Sequence, residues 1–217
     1  LARLLGLPVG TLICASNANR VLTDFLETGV YDRRRTLLRT QSPSMDILVS
    51  SNLERLLWLM SGDTALVAGL MEQLGEQGFY RVPEGVMASI RQRFRGFCCT
   101  DAQGAEVIGR VWREQSYLMY PHTAAGWFGA EAYARETGDG RPTVVLSTAS
   151  PYKFPDAVLS AVAPDAPQDA DPFARMARLE ALTKVPMPAS LARLAGKPER
   201  HTRVLDTEQM LPFVLSL

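Results

Sequence analysis

The stretch TLICASNANRVLTDFLETG, residues 11–29, decides the fold class. Residues 11–15 are a short apolar run rich in strand-forming residues, and the polar turn at residues 16–19 follows it. Residues 21–26 then place apolar side chains at helical spacings until Gly29, a residue type that commonly ends helices. A strand, a polar turn and a helix in this order are typical of an α/β unit with a parallel sheet.

The residues before this unit read as the end of a helix. Leu1, Leu4 and Leu5 are spaced like one face of an amphipathic helix. Gly6 then stops the pattern, and Pro8 follows it. A helix entered halfway predicts that the chain is a piece of a longer protein, although N-terminal processing would leave the same pattern.

After this unit the sequence continues to alternate between strand-like and helix-like patterns of apolar residues. A polar, basic loop is expected at residues 31–41, and a buried strand at residues 143–146. Further predicted elements are a helix that opens at Ser42 or Ser44, helices over 63–77 and 83–94, a strand at 97–99, a helix behind a capping box at Thr100, a helix over 121–137 and a helix over 173–182.

Composition and charge exclude several classes of protein. The 217 residues suit one large domain or slightly more, and 47% of them are hydrophobic, as in ordinary globular proteins. Lys plus Arg and Asp plus Glu number 23 each, so no net charge favours a nucleic-acid or membrane partner. No apolar run reaches the roughly 18 residues of a membrane-spanning helix.

The cysteines and histidines favour neither disulfides nor a metal. Cys14, Cys98 and Cys99 form no spaced framework, because two of them are adjacent. With only His122 and His201 besides, no zinc-binding spacing is present, so we predict no metal. Free thiols fit a reducing compartment, which predicts a cytoplasmic protein.

The segment STASPYKFP, residues 147–155, follows the strand predicted at residues 143–146. Parallel α/β sheets bind ligands at the carboxyl ends of their strands, where Ser147, Thr148 and Ser150 would offer uncharged hydroxyls. The alternative is that these hydroxyls cap the helix that begins near Pro155.

Four blocks together resemble threonine synthases, which are fold type II pyridoxal-phosphate enzymes. The resemblance spans about residues 1–155 and implies part of a tryptophan synthase beta-like, three-layer α/β sandwich with a parallel-type sheet and extra helices. The blocks are SNANRVLTDFLETGVYDR (16–33), SPSMDILVSSNLERLLW (42–58), YPHTAAGW (120–127) and TVVLSTASPYKFP (143–155).

The resemblance implies a reaction and a cofactor. Threonine synthases convert the small molecule O-phosphohomoserine and water into threonine and phosphate, with pyridoxal 5′-phosphate as the electron sink. The family places a threonine hydroxyl, not a carboxylate, against the pyridine nitrogen, and this leaves that nitrogen unprotonated. Carried onto this sequence the residue is Thr148, with Ser147 beside it as a second cofactor-binding candidate.

Other positions of the blocks are substrate-binding candidates: Asn19, Asp46, Asn52, Arg55 and His122. Arg55 would pair with a substrate phosphate or carboxylate, and His122 would hold phosphate or move a proton. Simpler interpretations stay open, namely a turn for Asn19, a surface ion pair for Arg55 and a packed helix start for His122.

The sequence also departs from the family. Its only lysines are Lys153, Lys184 and Lys197, and none of them stands in the family's Schiff-base motif. No glycine-rich phosphate loop is found, and Tyr120 stands where the family often has an acid. No catalytic residue is therefore assigned, and the resemblance implies that the lysine belongs to a missing N-terminal half.

These departures define the expected organisation. We expect residues 1–162 to be the C-terminal part of the cofactor-binding α/β region and residues 163–217 to be a helical extension. The missing N-terminal half would be the partner of this chain, and the piece alone would be inactive, expose apolar surface and self-associate. The alternative function is a non-catalytic ligand-binding or structural module derived from a fold type II enzyme.

Overall fold

The structure, a computed structural model, describes residues 2–167 and 170–217. Leu1 of the predicted helix end and residues 168–169 of the Pro/Asp/Ala-rich linker lie outside the described residues. The strands are β1 (Leu12–Ser16), β2 (Val30–Asp32), β3 (Phe79–Arg81) and β4 (Phe94–Cys98). The helices are α1 (Val21–Thr28), α2 (Ser51–Ser61), α3 (Thr64–Gln77), α4 (Glu84–Arg91), α5 (Asp101–Gln115), α6 (Pro121–Thr137), α7 (Pro155–Val162), α8 (Pro172–Thr183), α9 (Ala189–Ala192) and α10 (Thr207–Leu215).

The predicted α/β unit is confirmed. Strand β1 pairs in parallel with β4, with Leu12 opposite Phe94 and Ser16 opposite Cys98. Helix α1 follows the polar turn and ends at Gly29, whose φ of 74° is the left-handed conformation that glycine adopts at low cost. The strand predicted at residues 97–99 is thus the end of β4.

Aromatic packing organises the first hydrophobic core, between α1, α2, α3 and α4. Tyr31 of β2 stacks on Tyr80 of β3, with ring centroids 5.3 Å apart, and Phe25 of α1 meets both rings edge-on. Because Tyr31 lies in a strand antiparallel to β3, the prediction of a loop from residue 31 is wrong at its start. A strand of three residues is too short to produce a recognisable alternation.

A second core lies between helices α5, α6, α7 and α8. Val111 of α5, Leu159 of α7 and Leu179 of α8 are fully buried in it. The capping box predicted at Thr100 begins α5, and α6 runs from Pro121 to a left-handed Gly138, also as predicted. Helix α8 packs on α7, so the second core extends past residue 162, while the division at residues 162 and 163 stays a prediction.

The helix predicted to open at Ser42 or Ser44 begins later. A short 3-10 turn covers Pro43–Met45, and α2 begins only at Ser51. Between them the backbone bonds to a side chain: the Tyr31 hydroxyl donates to the Leu48 carbonyl at 3.0 Å and accepts the Ser50 N–H at 2.7 Å. These bonds replace helical ones in a stretch of weak helix propensity.

The buried strand predicted at residues 143–146 is wrong. The segment has no strand pairing, and Val144 and Leu146 are 84% and 75% exposed. A strand needs a neighbour to accept its backbone hydrogen bonds, and no strand among residues 2–167 and 170–217 pairs with this segment. Its apolar composition predicts burial that this chain alone does not supply.

Other apolar side chains are also exposed. Leu4 and Leu5 near the N-terminus and Leu211 and Leu215 of α10 expose more than half of their surface. Within the described ranges, no helix has both the length and the apolar character that crossing a membrane requires.

The close approach of α5 to α7 depends on Gly109. A Cβ at this position would lie 2.6 Å from the Ala161 carbonyl oxygen, whereas one at Gly69 in α3 would meet nothing within 4 Å. We expect Gly109→Ala to lower the free energy of unfolding by about 1–3 kcal/mol through overpacking. Gly69→Ala should raise it by about 0.5–1 kcal/mol through helix propensity. Urea denaturation of both variants checks this, and equal stabilities would contradict it.

Candidate functional site

The Thr148 hydroxyl is exposed but held by a buried side chain. The Tyr120 hydroxyl lies 2.5 Å from Thr148 Oγ1 and also accepts the Thr148 backbone N–H at 3.1 Å. Tyr120 itself is only 2% exposed, whereas Thr148 lies on the surface in a segment without regular structure. The position of Thr148 is therefore set by a side-chain contact and not by a strand ladder.

The first turn of α6 brings this contact about. Tyr120 precedes Pro121, which disfavours helical backbone at the preceding residue, and its φ of −103° and ψ of 164° are extended. Its ring stacks on Phe154, with centroids 5.8 Å apart and planes 13° from parallel. Thr123, the third residue of α6, donates to the Ser147 hydroxyl at 3.2 Å. Both cofactor-binding candidates are thus held by the start of one helix.

His122 lies in the same turn and contacts another loop. Its Nε2 accepts the Ser44 backbone N–H at 3.1 Å, so the neutral ring carries its proton on Nδ1. That Nδ1 is buried and has no hydrogen-bond partner among the described residues. The Phe154 ring lies 4.8 Å from the imidazole. Burial lowers the pKa of His122, and Asp46 opposes this effect by stabilising the charged form.

Asp46 is surrounded by hydrogen-bond donors. Its Oδ1 accepts from Asn17 Nδ2 at 2.8 Å, from Asn19 Nδ2 at 3.0 Å and from the Thr40 hydroxyl at 2.7 Å. Its Oδ2 accepts the Thr40 backbone N–H at 3.0 Å. The carboxylate therefore joins the turn after β1 to the loop at residues 40–46.

Asn19 has two roles in this network. Its backbone N–H donates to Asn17 Oδ1 at 2.9 Å, so the side chain that forms the Asx turn is that of Asn17, and not that of Asn19 as the simpler interpretation expected. Its side chain also exchanges two hydrogen bonds with the Leu38 backbone. Asn17 is just as buried, and the sequence reasoning missed it. The signal was present, because both asparagines follow directly on a strand.

Asn52 and Arg55 lie apart from this network. Both are exposed on α2, and the Arg55 guanidinium donates to Asn52 Oδ1. Among the described residues, neither makes a hydrogen bond to Asp46, His122 or Thr148. The structure thus brings Asn19, Asp46, His122, Ser147 and Thr148 together, whereas Asn52 and Arg55 contact each other and share no described hydrogen bond with that group.

The alternative interpretation, in which these hydroxyls cap the helix that begins at Pro155, is wrong, because the N-cap of α7 is Phe154 and makes no side-chain cap bond. Ser150 Oγ accepts the Tyr152 N–H at 3.3 Å and caps the 3-10 turn Pro151–Lys153. Ser147 and Thr148 bond to α6 instead. A groove of about 390 Å³ lies further along the segment, and residues that include Thr40, Lys153 and Phe154 line it.

The chemistry of the site suits a neutral heteroaromatic ligand. Its exposed donors are hydroxyls, and a hydroxyl can bond a ring nitrogen without transferring a charge to it. The one imidazole is held neutral. In the part of the chain that the structure describes, no three His, Cys, Asp or Glu side chains are grouped so that they could hold a metal ion.

Comparisons with known proteins agree with the resemblance. Residues 123–214 match the family model "Threonine synthase, C-terminal". The "Threonine synthase" of Pseudomonas aeruginosa is 38% identical over 209 residues, which are 96% of this chain and 40% of that protein. The "Threonine synthase-like 1" of Macaca fascicularis is 39% identical over 163 residues, or 74% and 22% of the two chains. The chain therefore spans between a fifth and two fifths of these relatives.

A solved structure extends the agreement to the fold. A PLP-bound threonine synthase from Brucella melitensis matches with a TM-score of 0.70 and 40% identity, over 81% of this chain and 37% of that one. The prediction of a partial fold type II architecture is confirmed by this likeness.

We expect Asp46→Ala to destabilise the protein by about 1–3 kcal/mol, because Asn17, Asn19 and Thr40 would lose a shared, partly buried acceptor. Glu72→Ala, at an exposed position of α3, is the control and should stay within about 0.5 kcal/mol of the parent. Urea denaturation measures both. An Asp46→Ala variant as stable as the control would show that the carboxylate is not a structural acceptor.

The buried imidazole predicts a pH dependence of stability. Because the pKa of His122 is lowered in the folded state, the unfolded chain binds more protons. The free energy of unfolding should then fall as the pH drops through the unfolded pKa of about 6.5. His122→Gln should flatten this slope, whereas His201→Gln, at an exposed position, should keep it. Melting temperatures between about pH 7.5 and 5.5 measure the slopes, and identical slopes for parent and His122→Gln would contradict the prediction.

Proposed function

Because this chain is a relative of threonine synthases and corresponds to their C-terminal portion, we propose that the protein containing it converts O-phosphohomoserine and water into threonine and phosphate. The cofactor would be pyridoxal 5′-phosphate, which is the ligand named for the Brucella melitensis relative. In this proposal the chain forms one wall of the active site.

The observation that carries the proposal is the exposed Thr148 hydroxyl held by Tyr120. When bound, pyridoxal phosphate supplies an electron sink for carbanions. Thr148 would hold the pyridine nitrogen with a hydrogen bond and would transfer no proton to it, so the ring would stay uncharged there. Ser147, fixed by Thr123, would bond the cofactor from the adjacent position.

The remaining candidates would either hold a loop of the site or bind the substrate. We assign Asp46 and Asn19 the task of holding the loop at residues 40–46, since their polar atoms already bond to one another and to that loop. His122, whose buried Nδ1 has no partner among the described residues, is the candidate for holding the phosphate or for moving a proton. The exposed guanidinium of Arg55 is the candidate for a phosphate or carboxylate group.

The lysine that links the cofactor to the enzyme would come from another part of the protein. Lys153, Lys184 and Lys197 are this chain's only lysines, and none lies in the family's Schiff-base motif. We therefore propose that the chain alone does not turn over and that the rest of the protein is its partner. The unpaired apolar segment at residues 143–146 would pack against that partner.

The activity itself is tested on the complete protein with pyridoxal phosphate. Incubation with O-phosphohomoserine should release phosphate and threonine in equal amounts, and the protein should show the visible absorbance of bound cofactor. A colourless protein that binds no pyridoxal phosphate and releases no phosphate would overturn the assignment. It would favour the alternative of a non-catalytic module on the same scaffold.

Thr148→Val tests the role of the hydroxyl, because the two side chains are nearly isosteric. In the complete protein we expect kcat to fall about tenfold or more, which corresponds to about 1.4 kcal/mol of lost stabilisation. Thr202→Val makes the same change at an exposed position outside the segment that carries Thr148 and should leave kcat unchanged. Parent-like kinetics for Thr148→Val, measured as phosphate release, would remove Thr148 from the site.

A further inference from the structure

We propose that Tyr120 is a positioning residue that aims the Thr148 hydroxyl proton at the ring nitrogen of the cofactor. This inference rests on the proposed function and adds to it a residue that never touches the cofactor. Tyr120 would act through two contacts with Thr148, one to its backbone and one to its side chain. It would decide which way the threonine O–H points.

Counting the protons of the two hydroxyls shows that Tyr120 donates to Thr148. The Tyr120 oxygen accepts the Thr148 backbone N–H at 3.1 Å, so it is already an acceptor. Its single phenol proton needs an acceptor, and Thr148 Oγ1 lies 2.5 Å away. With that bond made, Thr148 keeps its own proton free for a ligand. In the opposite arrangement Tyr120 would accept twice, and its buried proton would be left without the acceptor that Oγ1 provides.

The tyrosine is held firmly enough to impose this direction. Its ring is buried and stacked on Phe154, and its backbone is extended by Pro121. Thr148 has no such support, because the segment that carries it has no regular structure and is exposed. The pair therefore combines a rigid donor with a residue that needs to be oriented.

Binding of the pyridine ring requires that the Thr148 hydroxyl proton be free to donate. An unprotonated pyridine nitrogen is an acceptor only, so the threonine must donate to it. A residue that accepted the Thr148 proton, such as a carboxylate, would compete with the ring for the same hydrogen. A phenol donates to Oγ1 and leaves that hydrogen available, so Tyr120 suits a neutral hydrogen-bond chain from phenol to threonine to ring.

The first test measures the contact without the cofactor. In the complete, cofactor-free protein, Tyr120→Phe should speed hydrogen–deuterium exchange in the peptide that contains Thr148, because the N–H loses its acceptor. Tyr133→Phe is the matched control. It removes a hydroxyl from the same helix, one that bonds Thr11 and Asp139, and should leave exchange at Thr148 unchanged. No change in Tyr120→Phe would overturn the inference.

The second test separates positioning from general support of the fold. In the loaded protein, Tyr120→Phe should lower kcat and weaken cofactor binding, each by about 2- to 10-fold, the effect of one hydrogen bond. The KM for O-phosphohomoserine should stay within about twofold, since the contact acts on the ring and not on substrate binding. The absorption maximum of the bound cofactor should shift. Tyr133→Phe should change none of these quantities.

A double variant decides whether Tyr120 works through Thr148. Adding Tyr120→Phe to Thr148→Val should cause no further loss of kcat, because the hydroxyl to be oriented is already gone. Full additivity would overturn the inference. Faster exchange with unchanged kcat, cofactor affinity and spectrum would also overturn it, while leaving the proposed function intact. A parent protein that binds no pyridoxal phosphate would overturn both, and the exchange result would still report the contact.

Discussion

The parallel pairing of β1 with β4 is the interaction on which the rest of the structure depends. Helix α6 lies directly on this pair at Gly129, where a Cβ would be 3.2 Å from Ile13 and 3.5 Å from Ala15 and Phe97. The polar turn that follows β1 leaves the same two-stranded sheet. The sheet therefore supports both α6, which contacts Ser147 and Thr148, and the turn that carries the two asparagines.

Buried polar groups in this site have their partners, with one exception. Asp46 gathers the donors of the turn and of the loop, and such an arrangement is stable because none of these groups is left unpaired. The exception is His122 Nδ1, which is buried and has no partner among the described residues. A structural network that leaves one donor unused in the helix turn that also holds Ser147 and Thr148 is the feature expected of a site that binds a ligand.

The sequence correctly predicted those helices and strands that are determined by interactions within a few residues. Residues 11–29 gave a correct strand and helix, and Thr100 gave a correct cap, because periodicity and capping act within a few residues. The predictions failed where the cause is distant. Residues 143–146 have the composition of a strand but pair with no strand among the described residues, and Leu48 and Ser50 bond to the Tyr31 side chain. The Tyr120 contact with Thr148 joins residues 28 positions apart, which no periodicity could reveal.

The start of α6 contacts two separate segments through three neighbouring side chains. Tyr120 bonds Thr148, His122 accepts from the loop at Ser44, and Thr123 donates to Ser147. If α6 tilted where it packs on the sheet, all three contacts would be displaced together, because their side chains are neighbours on one helix. Closure around a ligand, transmitted through the start of this helix, would therefore be concerted.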